Sequence, residues 1–113
     1  MKVIKKLFSL FLVSLLIVCV IPLAVGVNIV DNGICGTNLT WTLDSQGTLT
    51  ISGTGEMLNH PWDDLRSNIN KVVIQNGVTS ICSEAFYDCR NLKAVIIPQS
   101  VTSIDDKAFS FTG

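Results

Sequence analysis

The feature that most constrains this chain is a match of the sequence to itself at a shift of 23 residues. From Ile69 onward, eight of 22 aligned positions carry identical residues. The longest identical blocks are Val78-Thr79-Ser80-Ile81 with Val101-Thr102-Ser103-Ile104, and Ala85-Phe86 with Ala108-Phe109. A period of this length predicts stacked coils, in which equivalent side chains lie over one another and are buried together.

The apolar positions of the repeat predict a coil with three sides. Val72 and Ile74 alternate as in a strand, so both are expected to point inward. Val78 with Ile81 would line a second side, and Ala85-Phe86 would close the third in a tight helical turn. The second coil repeats this pattern at the equivalent positions Val95, Ile97, Val101, Ile104, Ala108 and Phe109. Each buried Phe, Ile or Val contributes about 1.5–3 kcal/mol.

A β-hairpin is predicted before the repeats. Two runs of alternating apolar and polar residues flank the polar turn Asp44-Ser45-Gln46-Gly47, in which the glycine can adopt a positive φ. One face of the hairpin is expected to be buried. The residues of that face are Leu39, Trp41, Leu43, Leu49 and Ile51.

A short helix is expected to follow the hairpin, with Pro61 in its first turn. Proline has no N–H to lose there, and Asp63 and Asp64 would face the positive end of the helix. Trp62 and Leu65 are three residues apart, so one side of the helix would pack on the hairpin.

The sequence therefore predicts a mainly β fold in which a cap precedes a short solenoid. Residues 27–68 are expected to form an N-terminal β-hairpin cap with a short helix. Residues 69–113 are expected to form a leucine-rich-repeat β-solenoid of 23-residue coils, the second of which is incomplete.

Residues 1–26 have the pattern of a secretory signal peptide. Lys2, Lys5 and Lys6 precede an apolar run, and residues 7–30 carry no charge. Small residues then precede a cleavage site that we place between Gly26 and Val27. We therefore expect a secreted or cell-surface protein.

Two other interpretations of this segment remain open. The uncharged run is long enough to span a bilayer as an uncleaved anchor, although Pro22 and the small residues after it oppose this. Cys19 could be lipidated, because Leu16-Ile17-Val18-Cys19 faintly resembles a bacterial lipobox, yet Val18 is not small. A membrane would be contacted only through this segment.

The charge of the remaining chain argues against nucleic acid as a partner. Removal of residues 1–26 leaves five cations against all nine acidic residues, a net charge of −4. No basic patch is present to displace counterions from a phosphate backbone.

Nothing in the sequence indicates catalysis, a cofactor or a metal. His60 is the only histidine and has no adjacent nucleophile or second ligand in the sequence. The acidic pairs Asp63-Asp64 and Asp105-Asp106 are sequence neighbours, which do not converge on a substrate. Trp41 and Trp62 could form a sugar-stacking platform, but each lies on an apolar face, so we expect both in the core.

Three cysteines follow residue 26, namely Cys35, Cys82 and Cys89. An odd number cannot form a closed disulfide framework, and the spacing is not that of a zinc site. Buried thiols and a Cys82–Cys89 bridge are both left open.

Two blocks of the chain resemble the BspA-like leucine-rich-repeat proteins of bacterial and protist surfaces. The first is Gly36-Thr37-Asn38-Leu39-Thr40-Trp41-Thr42-Leu43, continuing through residues 47–55 to Pro61-Trp62. The second is Val78-Thr79-Ser80-Ile81 followed by Ala85-Phe86, Cys89 and Leu92. This resemblance implies adhesion to proteins of a host or a neighbouring cell.

The chain departs from that family pattern at two points. Cys82 and Asp105 stand where such repeats usually have glycine, and the second coil stops before it is complete. Open solenoid ends need capping, so we expect more repeats in the natural protein.

A contact surface is predicted on the outward face of the strands that begin the coils, which is concave in leucine-rich coils. Its residues are Lys71, Val73, Gln75, Ala94 and Ile96. Val73 and Ile96 are apolar where solvent is expected, so they could anchor a protein partner, with extracellular-matrix and host-surface proteins as candidates. Alternatively, Val73 and Ile96 only favour strand formation, or they face a neighbouring chain. In that case the segment would be a non-binding spacer or cap of a longer, truncated surface protein.

Overall fold

The computed structural model describes residues 26–113, so the predicted signal peptide and Cys19 lie outside the described residues apart from Gly26. The described part contains eight strands and one 3-10 helix. The strands are β1 (Ile29–Gly36), β2 (Leu39–Asp44), β3 (Thr48–Gly53), β4 (Gly55–Glu56), β5 (Lys71–Ile74), β6 (Val78–Ile81), β7 (Ala94–Ile96) and β8 (Ser103–Ile104), and the 3-10 helix is Asp63–Asn68. The predicted mainly β class is confirmed.

The strands form two sheets that share one core. The larger sheet has five strands in the order β1-β2-β3-β5-β7. Its first three strands are antiparallel, whereas β5 and β7 join in parallel. The smaller sheet has the order β8-β6-β4 and is parallel throughout.

Equivalent residues of the two coils lie over one another, as the repeat predicts. Val72 pairs with Val95 between β5 and β7. The rings of Phe86 and Phe109 stack with centroids 5.2 Å apart and an interplanar angle of 19°. The 23-residue period is therefore the spacing of one layer on the next.

The last strand of the cap already follows the same spacing. Leu49 of β3 pairs with Val72 of β5, and Ile51 pairs with Ile74, again 23 residues apart. The stack of coils therefore begins at β3, upstream of the position where the sequence repeat becomes visible.

Between β4 and β6 the register shifts by one residue. This shift changes the sequence separation between residues of the cap and the residues of the first coil that pair with them. Gly55 pairs with Val78 at a separation of 23, but Glu56 pairs with Ser80 at a separation of 24. Beyond this shift, Trp62 lies on Phe86, also 24 residues away. A comparison at a constant shift of 23 consequently loses the match.

The core contains the apolar residues predicted for the hairpin and for the first coil. All five residues of the hairpin's inner face are at most 3% exposed. The same holds for Val72, Ile74, Val78, Ile81, Ala85 and Phe86. In the second coil Ile97 and Ile104 are 40% and 50% exposed, because no described residue covers their outer side.

Three local features differ from the sequence-based expectation. Strand β1 adds a third strand to the expected two-stranded hairpin. The helix is of the 3-10 type and starts at Asp63, with Pro61 in the preceding turn. The segment around Ala85-Phe86 is a series of turns rather than a helical turn, since Glu84 and Asp88 have φ of 60° and 61°.

Strand β1 fits against the hairpin because Gly33 has no side chain. Gly33 lies opposite Trp41, and a Cβ on Gly33 would stand 2.9 Å from the indole nitrogen. This contact is closer than a side chain tolerates, so glycine is needed where β1 packs against the indole of Trp41.

Candidate interaction surface

The five residues predicted to form a contact surface lie together on the outward face of the five-stranded sheet, the face turned away from the core. Lys71 pairs with Ala94, and Val73 pairs with Ile96. Ile96 is 50% exposed and Val73 is half-buried. Gln75 follows the end of β5 and is exposed. The alternation of β5 explains this placement, because Val72 and Ile74 occupy the inward positions between them.

The outward face continues without a break across the cap, which sequence reasoning did not anticipate. Thr50 pairs with Val73 on one side and with Thr42 on the other. Thr42 in turn pairs with Asn32 of β1. Together with Ile96, these residues form a row across all five strands, which we call the central row. The alternating Thr-x-Thr pattern of both hairpin strands was a signal for these outward positions.

A second row runs beside the central row. Ile34 pairs with Thr40, and Thr40 pairs with Ser52. The next position across the sheet is Gln75, which follows Ile74, the partner of Ile51. Ile34 is the most exposed large apolar residue of the described chain, at 69%. We call these four positions the second row.

Charged side chains on the strands of this face border the two rows rather than interrupt them. Asp44 and Lys71 both lie beyond the central row, on the side opposite the second row. The Asp44 carboxylate accepts hydrogen bonds from the backbone N–H groups of Gln46 and Thr48, so it is already engaged in the hairpin turn. Lys71 is exposed, and within residues 26–113 it forms no ion pair.

Both tryptophans lie in the core, as predicted. Trp62 is fully buried and Trp41 is 3% exposed. Their rings meet edge to face with centroids 5.6 Å apart. Neither indole is available as a platform for a sugar.

His60 and the neighbouring charges form a structural cluster. His60 Nδ1 lies 2.7 Å from Asp63 Oδ1, which also accepts a hydrogen bond from Arg66. Arg66 further donates to the carbonyl oxygens of Glu84 and Tyr87 in the first coil. The cluster therefore ties the 3-10 helix to the first coil.

The three described cysteines are free thiols. Burial raises the pKa of the Cys35 thiol to about 11, and the nearby Cys82 adds to the rise. Burial also raises the pKa of Cys82 and of Cys89. At neutral pH these thiols stay protonated, which makes them poor nucleophiles and poor metal ligands.

Two further properties of the described residues bear on function. Between residues 26 and 113, no three His, Cys, Asp or Glu side chains converge in a way that could hold a metal ion. No helix in this part of the chain is both long and apolar enough to cross a membrane.

A cleft of about 650 Å³ opens between the hairpin turn and the 3-10 helix. Polar groups along it bond within the protein, for example Asn70, whose side chain donates to the carbonyl oxygen of Gln46.

The fold and its repeated register are those of a leucine-rich-repeat protein. Residues 65–112 match the family described as a BspA type leucine rich repeat region of six copies. The resemblance inferred from the sequence is therefore confirmed over these residues. Leucine-rich repeats are a non-enzymatic kind of fold that generally mediates protein–protein interaction, and proteins of the BspA type are typically secreted or surface-exposed.

A solved structure of similar fold is a leucine-rich repeat protein from Eubacterium ventriosum. It is 36% identical to this chain, with a TM-score of 0.69. The similarity covers 73% of this chain but 24% of the Eubacterium protein, so the chain spans about a quarter of that protein's length. A search of the curated proteins finds no match.

Proposed function

We propose that this chain is a secreted or cell-surface repeat protein that binds a protein partner, in adhesion, through the outward face of its five-stranded sheet. The observation that carries this proposal is the Val73–Ile96 pair. These two β-branched side chains lie side by side on the outward face, and Ile96 is half exposed. Exposed apolar side chains grouped in this way favour contact with another protein.

The composition of the face supports a protein rather than a nucleic acid or a sugar. Lys71 is the single cation among the five predicted contact residues, which is too little positive charge for a phosphate backbone. The five carry no aromatic ring, and both tryptophans are buried, so the stacking surface that sugars favour is missing there. Extracellular-matrix and host-surface proteins fit the expected location.

The same geometry supports a non-catalytic role. His60, the one histidine of the chain, is held by Asp63 and Arg66. The thiols have raised pKa values. We propose that the chain acts by binding alone, without cofactor or metal.

Direct binding to immobilised collagen and laminin, two abundant matrix proteins, tests the proposal. The double variant Val73→Ser/Ile96→Ser should lose binding while its unfolding free energy changes little, because Ile96 is half exposed and Val73 lies beside it on the surface. Leu58→Ser is the matched control, since Leu58 is 55% exposed but lies outside the five-stranded sheet. Binding that survives in the double variant would contradict this contact surface.

We further propose that residues 1–26 are removed on export. The support is the basic start, the apolar run and the small residues before Val27. Sequencing the N-terminus of the protein recovered from the culture medium should give Val27. Recovery of the intact N-terminus with the membrane fraction would instead indicate an anchor, and a lipid on Cys19 would indicate a lipoprotein.

A second candidate function is a structural spacer or cap within a longer surface protein. The exposure of Ile97 and Ile104 favours it, because another coil would cover both side chains in the way the second coil covers Ile74 and Ile81. If the chain is a spacer or cap, the unaltered protein should bind neither collagen nor laminin. Cells that carry the Val73→Ser/Ile96→Ser variant should then attach as well as cells that carry the unaltered protein.

A further inference from the structure

The outward face combines the cap and the coils into one surface, and this bears on what the proposed partner looks like. The central row is Asn32, Thr42, Thr50, Val73 and Ile96, and the second row is Ile34, Thr40, Ser52 and Gln75. Neighbouring strands are about 4.8 Å apart, so the two ends of the face, at β1 and β7, lie about 19 Å apart. This width is comparable to a protein contact patch, and more than half of it belongs to the cap.

None of the nine side chains in the two rows is ionisable. Residues 27–113 carry five cations and nine acids, all of which lie outside the two rows. Lys71 and Asp44 lie beyond the central row rather than between the rows. Interface centres are depleted in charge, and an uncharged face matches an uncharged partner surface, since a buried charge without an opposite charge is costly.

The two most exposed apolar side chains of the face lie at its opposite ends. Ile34 on β1 is 69% exposed, and Ile96 on β7 is 50% exposed. Hydroxyl and amide groups occupy most positions between them, and these groups can donate or accept hydrogen bonds. The face therefore has two aliphatic anchors separated by an uncharged polar centre.

We propose that Ile34 of the cap is a second anchor of the contact face, and that the face binds an extended, uncharged segment of its protein partner. The inference rests on the proposed function and gives the cap a direct part in binding. An extended chain rises about 3.3 Å per residue, so about six residues of the partner would reach from Ile34 to Ile96. Such a segment would carry aliphatic side chains at both ends and hydrogen-bonding groups between them.

Selection of random-sequence peptides on the immobilised secreted protein tests this inference without a known partner. The enriched peptides should be uncharged, with aliphatic residues about six positions apart. Their affinity should fall at least about tenfold on Ile34→Ser and on Ile96→Ser, the loss typical of an anchor residue. Binding should change little between low and high salt, because neither of the two rows carries a charged side chain. Leu58→Ser is again the control.

The outcomes separate the inference from the proposed function. If Ile96→Ser weakens binding of collagen or laminin but Ile34→Ser has no effect on any ligand, the second anchor is wrong and the binding function stands. Enrichment of charged peptides, or a steep loss of affinity with salt, would also overturn the inference. Equal losses in Leu58→Ser would show that the selected peptides bind elsewhere. If no ligand binds the unaltered protein, both proposals fail.

Discussion

The indole of Trp62 lies stacked on the ring of Phe86, with centroids 5.6 Å apart and planes inclined by 14°. Its Nε1 donates a hydrogen bond of 2.8 Å to the carbonyl oxygen of Ala85. Because Phe86 stacks in turn on Phe109, one aromatic column passes from the cap through both coils. The cap thus supplies the first layer of the column rather than merely covering its end.

Shortening Trp62 should therefore separate packing from hydrogen bonding. Trp62→Phe keeps an aromatic ring on Phe86 but loses the bond to Ala85, and should lower the unfolding free energy by about 1–2 kcal/mol. Trp62→Ala leaves a cavity in a fully buried site and should cost about 3–5 kcal/mol. Urea denaturation followed by circular dichroism measures both. Equal losses in the two variants would contradict a role for the stacking, and unchanged stability of Trp62→Phe would contradict a role for the hydrogen bond.

Arg66 is expected to hold the cap on the first coil. Its side chain is 16% exposed and donates to carbonyl oxygens of the coil, so Arg66→Met should lower stability by about 2–3 kcal/mol. Arg90→Met is the matched control, because the Arg90 side chain is 72% exposed and should contribute less than about 0.5 kcal/mol. Thermal unfolding of both variants checks the difference, and a similar shift in each would argue against the cluster.

Two glycines near the start of β4 should respond differently to alanine. Both have positive φ, 116° at Gly53 and 104° at Gly55, so alanine strains either position by about 1–3 kcal/mol. A Cβ at Gly53 would also overlap the carbonyl oxygen of Asn38, whereas nothing lies within 4 Å of one at Gly55. Gly53→Ala should thus be clearly the more destabilising in urea denaturation. If both alanine variants lost the same stability, the carbonyl oxygen of Asn38 would have to lie further from Gly53 than the structure places it.

The buried thiol of Cys35 should make stability fall at alkaline pH. Burial raises its pKa to about 11 in the folded protein, above about 8.5 for an exposed thiol. The folded state therefore binds the proton more tightly, and this contribution is complete below about pH 8.5 and lost as pH rises towards 11. The part of the loss that Cys35 contributes should reach about 3 kcal/mol. Cys35→Ala should therefore lose less stability over this range, with Cys82 and Cys89 supplying the remainder. If the unfolding free energies of the two proteins fell equally with rising pH, titration of Cys35 would not be the cause.

Much of the fold could be predicted because the inward positions follow simple periods. Alternation placed Trp41 and Leu49 on the buried face of the hairpin, and the 23-residue match placed Val72 over Val95. The same alternation also gave the outward positions of Val73 and Ile96. Their role in binding stays a prediction, because periodicity determines where a side chain points but carries no information on the partner.

The parts that escaped prediction lack such a period. The first four residues of β1 are exposed, Gly33 is half-buried and Ile34 is exposed again, because an edge strand with bulges covers the core only at its end. No alternation therefore marks it as a strand, and Ile34 went unnoticed. The first layer of the stack was missed for another reason: the register shift between β4 and β6 moves Trp62 to a separation of 24 from Phe86.

This register shift makes the junction between cap and coils sensitive to insertions and deletions, whereas the coils themselves tolerate whole-unit duplication. Removing one residue between Gly55 and Trp62 would turn the indole away from Phe86 and leave the aromatic column without its first ring. Duplicating a complete 23-residue unit after Ile69 would keep each column in phase. The repeats can thus be lengthened by whole 23-residue units, whereas the segment between Gly55 and Trp62 must keep its length.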